Sequence, residues 1–406
     1  MKTDYAHNID RVFLYFALII IFLTSFPLAQ GWLPFGDFRP RVLLIGIALF
    51  LYPKCFFSRD LIWLYLFFLF QVLTYELSDL HRDFADWSCQ LMEFLVPIIV
   101  ASAVVFGRES RRAIFISRYA KILTFVTIIL TLRVVKETPD IIRNMVTISA
   151  WEGIDAVRNF WRLGVCNYSF ALIMMCIPPV FLQCSINAKW GVEQCLCLFG
   201  TFFVLYFVYV SQVTTTFFLC ILMLLLIWGT RKMSLSVTFI WVIALCGIVV
   251  LSLNVAVQFL MSFLGSNSEI GLHVKGIYEF ISEGKVSSDA YAVDGRVELY
   301  KKSITVFLKH PFFGNVTEEI GGHNYVLDNL ARFGIIGSFP LFCFFYHRIR
   351  ITLEHIPGRD RKTYAICVIG FIIMACFKHI AGIDHWSYLF LYIPCFLNSF
   401  NAQRES

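Results

Sequence analysis

The chain has 406 residues, of which 58% are hydrophobic and only 15% charged, with 43 Phe and a formal net charge of +6; its mean hydropathy is +0.72. Average soluble domains carry about 25% charged residues, so this composition excludes a soluble-core protein and points to an integral membrane protein. The surplus of Lys and Arg follows the short loops between apolar runs, a topological signal that implies no nucleic-acid partner.

Runs of roughly 17–25 mostly apolar residues are long enough to cross a bilayer core. They predict about twelve spans, near 11–30, 41–57, 60–77, 89–106, 118–136, 165–184, 191–210, 213–229, 234–254, 325–346, 363–381 and 385–400. The first follows Met1–Arg11 without a small-residue cleavage site and reads as a retained helix, not a removed signal peptide. Alternate loops hold Lys54 and Arg59; Arg108, Arg111, Arg112, Arg118 and Lys121; Lys189; Arg231 and Lys232; and Arg348, Arg350, Arg359, Arg361 and Lys362. Such charges stay on the cytoplasmic side, which predicts both termini inside and 31–40, 78–88, 137–164 and 255–324 outside. The expected fold is all-α: a single polytopic membrane domain over 1–406, with a loop at 137–164 and a large, partly helical loop at 255–324 between helices nine and ten. No repeat of fixed period is visible, and nine spans before the large loop against three after it do not make the equal halves of many transporters. The 13 Cys are scattered, nearly all within spans, and suggest neither a disulfide scaffold nor a metal site.

Within 137–164, Ile141, Ile142, Met145 and Ile148 recur at helical spacing beside Trp151 and Trp161, so this loop is expected to fold over the bundle and to enclose a pocket with the larger one. In the larger loop, Ser266–Val286 carries an amphipathic stretch. Gly295–Leu308 then reads as a helix with Val297, Tyr300, Ile304 and Leu308 on one face, ended by His310-Pro311.

Six residues are candidates for chemistry on the outer side. Arg162 and Arg296 carry planar, permanently charged forks suited to phosphate oxygens; the competing reading is that they solvate helix ends. His323, after Gly321-Gly322, carries an imidazole, the side chain most often used as a general base, and Asn324 follows it. Asp328 and Arg332, four residues apart on one helical face inside the next span, form either a substrate-path pair or a structural ion pair. Glu93 within a span, and Lys378, His379, Asp384 and His385 in the last outer turn, are further residues that border a cavity or solvate a turn.

The segment Gly295-Arg296…His310-Pro311-Phe312-Phe313-Gly314…Gly322-His323-Asn324…Gly334-Ile335-Ile336-Gly337 resembles the signature of the O-antigen ligase and O-antigen polymerase superfamily over about 45 residues. Arg162-Leu163-Gly164-Val165-Cys166-Asn167 is similar to a second family motif. The resemblance implies a GT-C-like, metal-independent, inverting glycosyltransferase without a cofactor, in the bacterial inner membrane with its site facing the periplasm. Its donor would be a glycan on undecaprenyl diphosphate and its acceptor a second glycan, with a chain-length regulator as a further partner. It implies that Arg162 and Arg296 hold the diphosphate, that His323 orients or deprotonates the acceptor hydroxyl, and that Asn324 helps place it. Many ligases have Ser-Arg where this chain reads Ser211-Gln212, and the run Leu327–Phe333 looks more like polymerases; both favour repeat-unit polymerase over ligase. A transporter or flippase, with Glu93, Asp328 and Arg332 lining its path, is the rival of another class.

Overall fold

The computed structural model describes residues 2–32, 38–78, 84–106, 110–138, 141–142, 144–145, 154–188, 191–230, 237, 291–380 and 382–405. They are mostly helical, with no strand among them. Helix α1 (Lys2–Ser25) stops at Phe26, because Pro27 fixes φ at the first position of the short α2 (Pro27–Trp32). Helix α3 (Phe38–Leu51) ends just before Pro53 for the same reason, and α4 (Arg59–Leu77) follows. Helix α5 (Phe84–Val100) contains Pro97, which cannot donate to the preceding turn, and it runs on through a widened π turn at Ala101–Val105. Then come α6 (Ser110–Val135) and the amphipathic α7 (Ile154–Arg162). Asn167 caps α8 (Tyr168–Ile173) by accepting from the Phe170 amide at 2.8 Å. A 3-10 turn leads into α9 (Ile177–Asn187), with α10 (Val192–Val210) and α11 (Thr214–Gly229) next. The remainder is α12 (Tyr291–Lys309), α13 (Tyr325–His355), α14 (Arg361–Phe377), α15 (Ile383–Ser387), a π turn at Tyr388–Tyr392, and α16 (Ile393–Glu405).

Helix occupies each predicted span except 234–254, which apart from Val237 lies outside the described residues, as do 255–290 and 146–153 of the two long loops. Among the described residues, four helical stretches are long and apolar enough to cross a membrane: Arg59–Leu77, Arg112–Val135, Tyr168–Asn187 and Tyr325–His355. Trp87–Ala103, Gln194–Val210 and Thr214–Gly229 are shorter apolar helices. Ile62, Leu66, Leu69 and Leu73 form an exposed apolar stripe on α4, and Ile335, Ile336, Phe339, Phe342 and Tyr346 do so on α13. Apolar residues facing outward invert the pattern of a soluble helix and are compatible with a lipid surround. At the centre, Ile383–Leu397 is buried all round, with Trp386 and Tyr388 1% exposed, so the last helical run is the core post of the bundle.

Polar side chains cluster at the helix ends. At one end Arg112 pairs with Asp10 at 3.1 Å, Arg348 with Asp60 at 3.5 Å, and Asp360 accepts from Gln183 and Asn187 at 3.2 and 2.7 Å. At the other, Arg41 pairs with Glu93 at 3.5 Å, and Glu93 also accepts from the Gly382 amide at 3.0 Å. Three predicted boundaries are displaced by two turns or more: α1 starts at Lys2 and α6 at Ser110, ahead of the spans expected from 11 and 118, and the span expected at 325–346 continues as helix to His355. Arg348 does not end it because its guanidinium turns inward, between Asp60, the Ser102 hydroxyl at 3.0 Å and the rings of Phe106 and Phe390.

Candidate functional site

The site is built where α12 returns into α13. Gly334 (φ 63, ψ −172) breaks α13 after Phe333, which frees backbone groups that apolar surroundings cannot satisfy. The loop after α12 satisfies them. The amides of Ile335 and Ile336 donate to the carbonyls of Pro311 and Phe312 at 2.8 and 3.0 Å, and the Asn315 amide donates to the Ala331 carbonyl at 2.9 Å. Gly314 (φ 71) and Gly334 are the close-approach points. A Cβ at Gly314 would stand 2.3 Å from the Arg332 carbonyl carbon, and one at Gly334 equally close to that of Phe312. His310–Gly314 and Gly334–Gly337, read separately in the sequence, are thus one backbone clasp.

The first turn of α13 is held just as closely. Asn324 is its N-cap, accepting from the Leu327 amide at 2.9 Å while its Nδ2 donates to the Cys376 carbonyl. Asp328 reaches back, accepting from the Asn324 amide at 2.9 Å and from the Ser303 hydroxyl at 2.6 Å; Ser303 in turn accepts from the Gly321 amide at 3.0 Å. Both Asp328 oxygens are therefore engaged, and the ion pair expected with Arg332 does not form. Asp328 and Asn324 are 4% and 3% exposed and act as the cap that presents the Gly321–His323 turn. His323 itself is exposed and makes no hydrogen bond or ion pair among the described residues.

Beside that turn lies a cavity of about 310 Å³. Its polar lining comes from Gln71 of α4, Gln90 and Glu93 of α5, Tyr325, the capping Asp328, Asn329 and Arg332 of α13, and His379. Gly322, next to His323, forms part of its edge, and Trp386 stacked on Phe94 (centroids 4.1 Å apart, 24° between planes) forms part of its wall. Gln71 is 6% exposed, yet its amide has no hydrogen-bond partner among the described residues; the Gln90 amide and the half-buried Arg332 guanidinium have none there either. Leaving such a group unpaired typically costs about 1–3 kcal/mol, and more when it is charged. Polar groups at this depth are retained where water or a ligand meets them. The Glu93 charge, by contrast, is shared with Arg41 and the Gly382 amide. Among the lining residues, Arg332 therefore presents a cation whose donors are uncommitted.

The other expected phosphate ligands stand elsewhere. Arg162 is exposed at the end of α7, where Nε donates to the Gly31 carbonyl at 2.9 Å, Nη1 to Asn159 at 3.3 Å, and the guanidinium lies over the Trp32 ring. It does not line the cavity; the helix-end reading describes its geometry. Arg296 belongs to the backbone of α12, but its side chain is outside the described residues. Nor does 137–164 enclose the cavity among the described residues: α7 packs on α2, and Ile141, Ile142 and Met145 are buried without reaching it. Of the turn between the last two expected spans, His379 lines the cavity, whereas Asp384 and His385 are buried at 2% and 1% exposed. Ser211-Gln212, the departure from the ligase pattern, makes a tight turn with Gln212 at φ 52, also away from the lining.

Gln71, Gln90 and Asn329 were not among the expected site residues. The two glutamines each interrupt an apolar run, the signal that singles out Glu93, and that rule extended from charges to amides finds them. Among the described residues no group of three or more His, Cys, Asp or Glu side chains is placed to hold a metal ion. No family model matches the chain, and no curated protein matches it.

Proposed function

We propose that the protein is a multi-span, inverting glycosyltransferase of the O-antigen polymerase and ligase type, joining undecaprenyl-diphosphate-linked repeat units on the periplasmic face of the bacterial inner membrane. The observation that carries this reading is the uncommitted Arg332 guanidinium in a cavity bordered by the Gly322-His323 turn. A diphosphate leaving group needs fixed positive charge where negative charge develops, and a fork of donors supplies it. Arg332, with Arg296 as a second cation, takes the phosphates. The acceptor oxygen forms its bond to the donor anomeric carbon as the bond from that carbon to the phosphate oxygen breaks. The acceptor proton passes to the His323 imidazole, and the bonding electron pair leaves with the diphosphate. The twelve-span count, the GT-C-like arrangement and cytoplasmic termini belong to the same reading; the clustering of Arg112, Arg348 and Arg359 at the end opposite the cavity supports that orientation. Gln212 in place of Arg favours polymerase over ligase.

The test is complementation of a deletion strain with His323→Ala and Arg332→Ala, each checked for wild-type abundance in the membrane. Removing a general base typically costs about 10²–10⁴-fold, so long polymer should vanish in both. Single-repeat caps on lipopolysaccharide in the deletion strain identify a polymerase; bare core with accumulated lipid-linked polymer identifies a ligase. Normal polymer length in both variants overturns the enzyme reading, and accumulation of single lipid-linked units on the cytoplasmic leaflet identifies a flippase.

A further inference from the structure

The cavity holds more polar capacity than a diphosphate uses. Gln71 and Gln90 enter it from α4 and α5, while Arg332 enters from α13. Each glutamine brings a carbonyl acceptor and two N–H donors, and neither amide is hydrogen-bonded among the described residues. A free ammonium or carboxylate would suit a charged ligand; a primary amide, accepting and donating at once, suits neighbouring hydroxyls or an N-acetyl group. Aromatic rings share the lining with these amides: Phe67 and Phe68 stand one turn before Gln71 on α4, Phe94 one turn after Gln90 on α5, and Trp386 stacks on Phe94. Amides set beside aromatic surface make a site for a ring that is polar at its edge and apolar on its face. A volume of about 310 Å³ lies at the lower end of the range for small-ligand pockets, room for one such ring and not for a chain of them.

Resting on the reading of this site as one that takes a glycosyl diphosphate, we propose that Gln71 and Gln90 form the subsite for the pyranose ring bonded to the diphosphate, with Arg332 on the adjoining phosphate. The two glutamines are then specificity-determining residues: they decide which first sugar of the donor is accepted. Asn329 is poised beside them with its carbonyl oxygen available, since its Nδ2 donates to the Tyr325 carbonyl at 2.7 Å. His323 is not part of this ring subsite, because it does not line the cavity.

The full-length chain in detergent is titrated with glucose, N-acetylglucosamine, their 1-phosphates and inorganic phosphate, and binding is read by saturation-transfer NMR and by competition. A sugar 1-phosphate should bind at least about tenfold more tightly than either the free sugar or inorganic phosphate, the gain expected when two subsites are filled together. Arg332→Ala should reduce the sugar 1-phosphate to the affinity of the free sugar. Gln71→Leu and Gln90→Leu should each move it toward that of inorganic phosphate. Because Gln71 has no partner among the described residues, Gln71→Leu should also raise thermal stability while it weakens binding, which separates a ligand role from a structural one. Undiminished sugar 1-phosphate binding in both leucine variants, or binding by wild type no tighter than to inorganic phosphate, overturns the proposal and leaves water as the partner of the amides. That result leaves the transferase reading standing if His323→Ala still abolishes polymer; conversely, sugar binding with normal polymer in His323→Ala keeps the subsite and removes the enzyme.

Discussion

At the residue scale, the first turn of α13 shows how a side chain proposed for chemistry is used for architecture. Asp328 accepts two hydrogen bonds at 4% exposure, and bonds to a buried carboxylate are worth roughly 1.5–3 kcal/mol each. Asp328→Ala should therefore destabilise the protein by about 3–6 kcal/mol, seen as a lower Tm in detergent; Asp328→Asn should cost less, since it keeps an acceptor. Glycine contributes differently at two positions with the same sign of φ. At Gly334 a Cβ meets the Phe312 carbonyl group, so Gly334→Ala should cost more than about 3 kcal/mol and reduce folded protein. At Gly322 (φ 71) a Cβ meets nothing within 4 Å, and the backbone term alone, about 1–2 kcal/mol, remains. Equal Tm losses in the two variants would contradict the clasp.

At the element scale, the α12–loop–α13 unit sets the geometry of the cavity. Its loop is pinned by Glu318, which meets His310 at 3.0 Å and accepts from Lys309 at 3.2 Å. These contacts, that with His310 foremost, hold the Glu318 carboxyl below its ordinary value. A carboxyl whose folded pKa lies below its unfolded one contributes stability above the unfolded value and loses it as pH falls through the folded one. Amide exchange across 310–318 should thus quicken on acidification below the ordinary carboxylate range, and Glu318→Gln should remove that pH dependence; the screening of exposed charges keeps the effect small. The helix within the large loop was legible in the sequence, Gly295–Leu308 being the interior of α12, because a 3- and 4-residue apolar period and a terminal His-Pro are local signals. The clasp between His310–Gly314 and Gly334–Gly337 was legible only as two glycine-bearing motifs, since nothing in the Gly334–Gly337 motif says that the amides of Ile335 and Ile336 find their partners at the carbonyls of Pro311 and Phe312.

At the scale of the whole molecule, buried charge ties the bundle together at the end remote from the cavity. Asp60 and Arg348 are 0% and 1% exposed at the side chain, and removing one partner of such a pair typically costs about 3–5 kcal/mol, while replacing both by apolar residues is near neutral. Arg348→Met should lower Tm strongly, and adding Asp60→Leu should restore most of the loss; a purely additive double mutant would show that the pair does not couple α4 to α13. Orientation is tested with Thr317→Cys and Gly358→Cys in a background whose reactive native thiols are replaced. An impermeant thiol reagent applied to the periplasmic side should label the first and not the second, and the reverse pattern would invert the proposed topology.

Composition and periodicity alone determined that this chain is a set of apolar helices and nearly where they lie, because the length and polarity of each run are local properties that any lipid-like environment reads directly. The tertiary structure decided which polar residues share a cavity. Arg162, alike in type and side to Arg332, is spent on the Gly31 carbonyl, and Asp328 on a helix cap, while Gln71 and Gln90, ordinary in their own helices, converge with Arg332. That sorting depends on helix rotation and on which backbone groups are left unpaired, quantities set by packing among segments far apart in the chain.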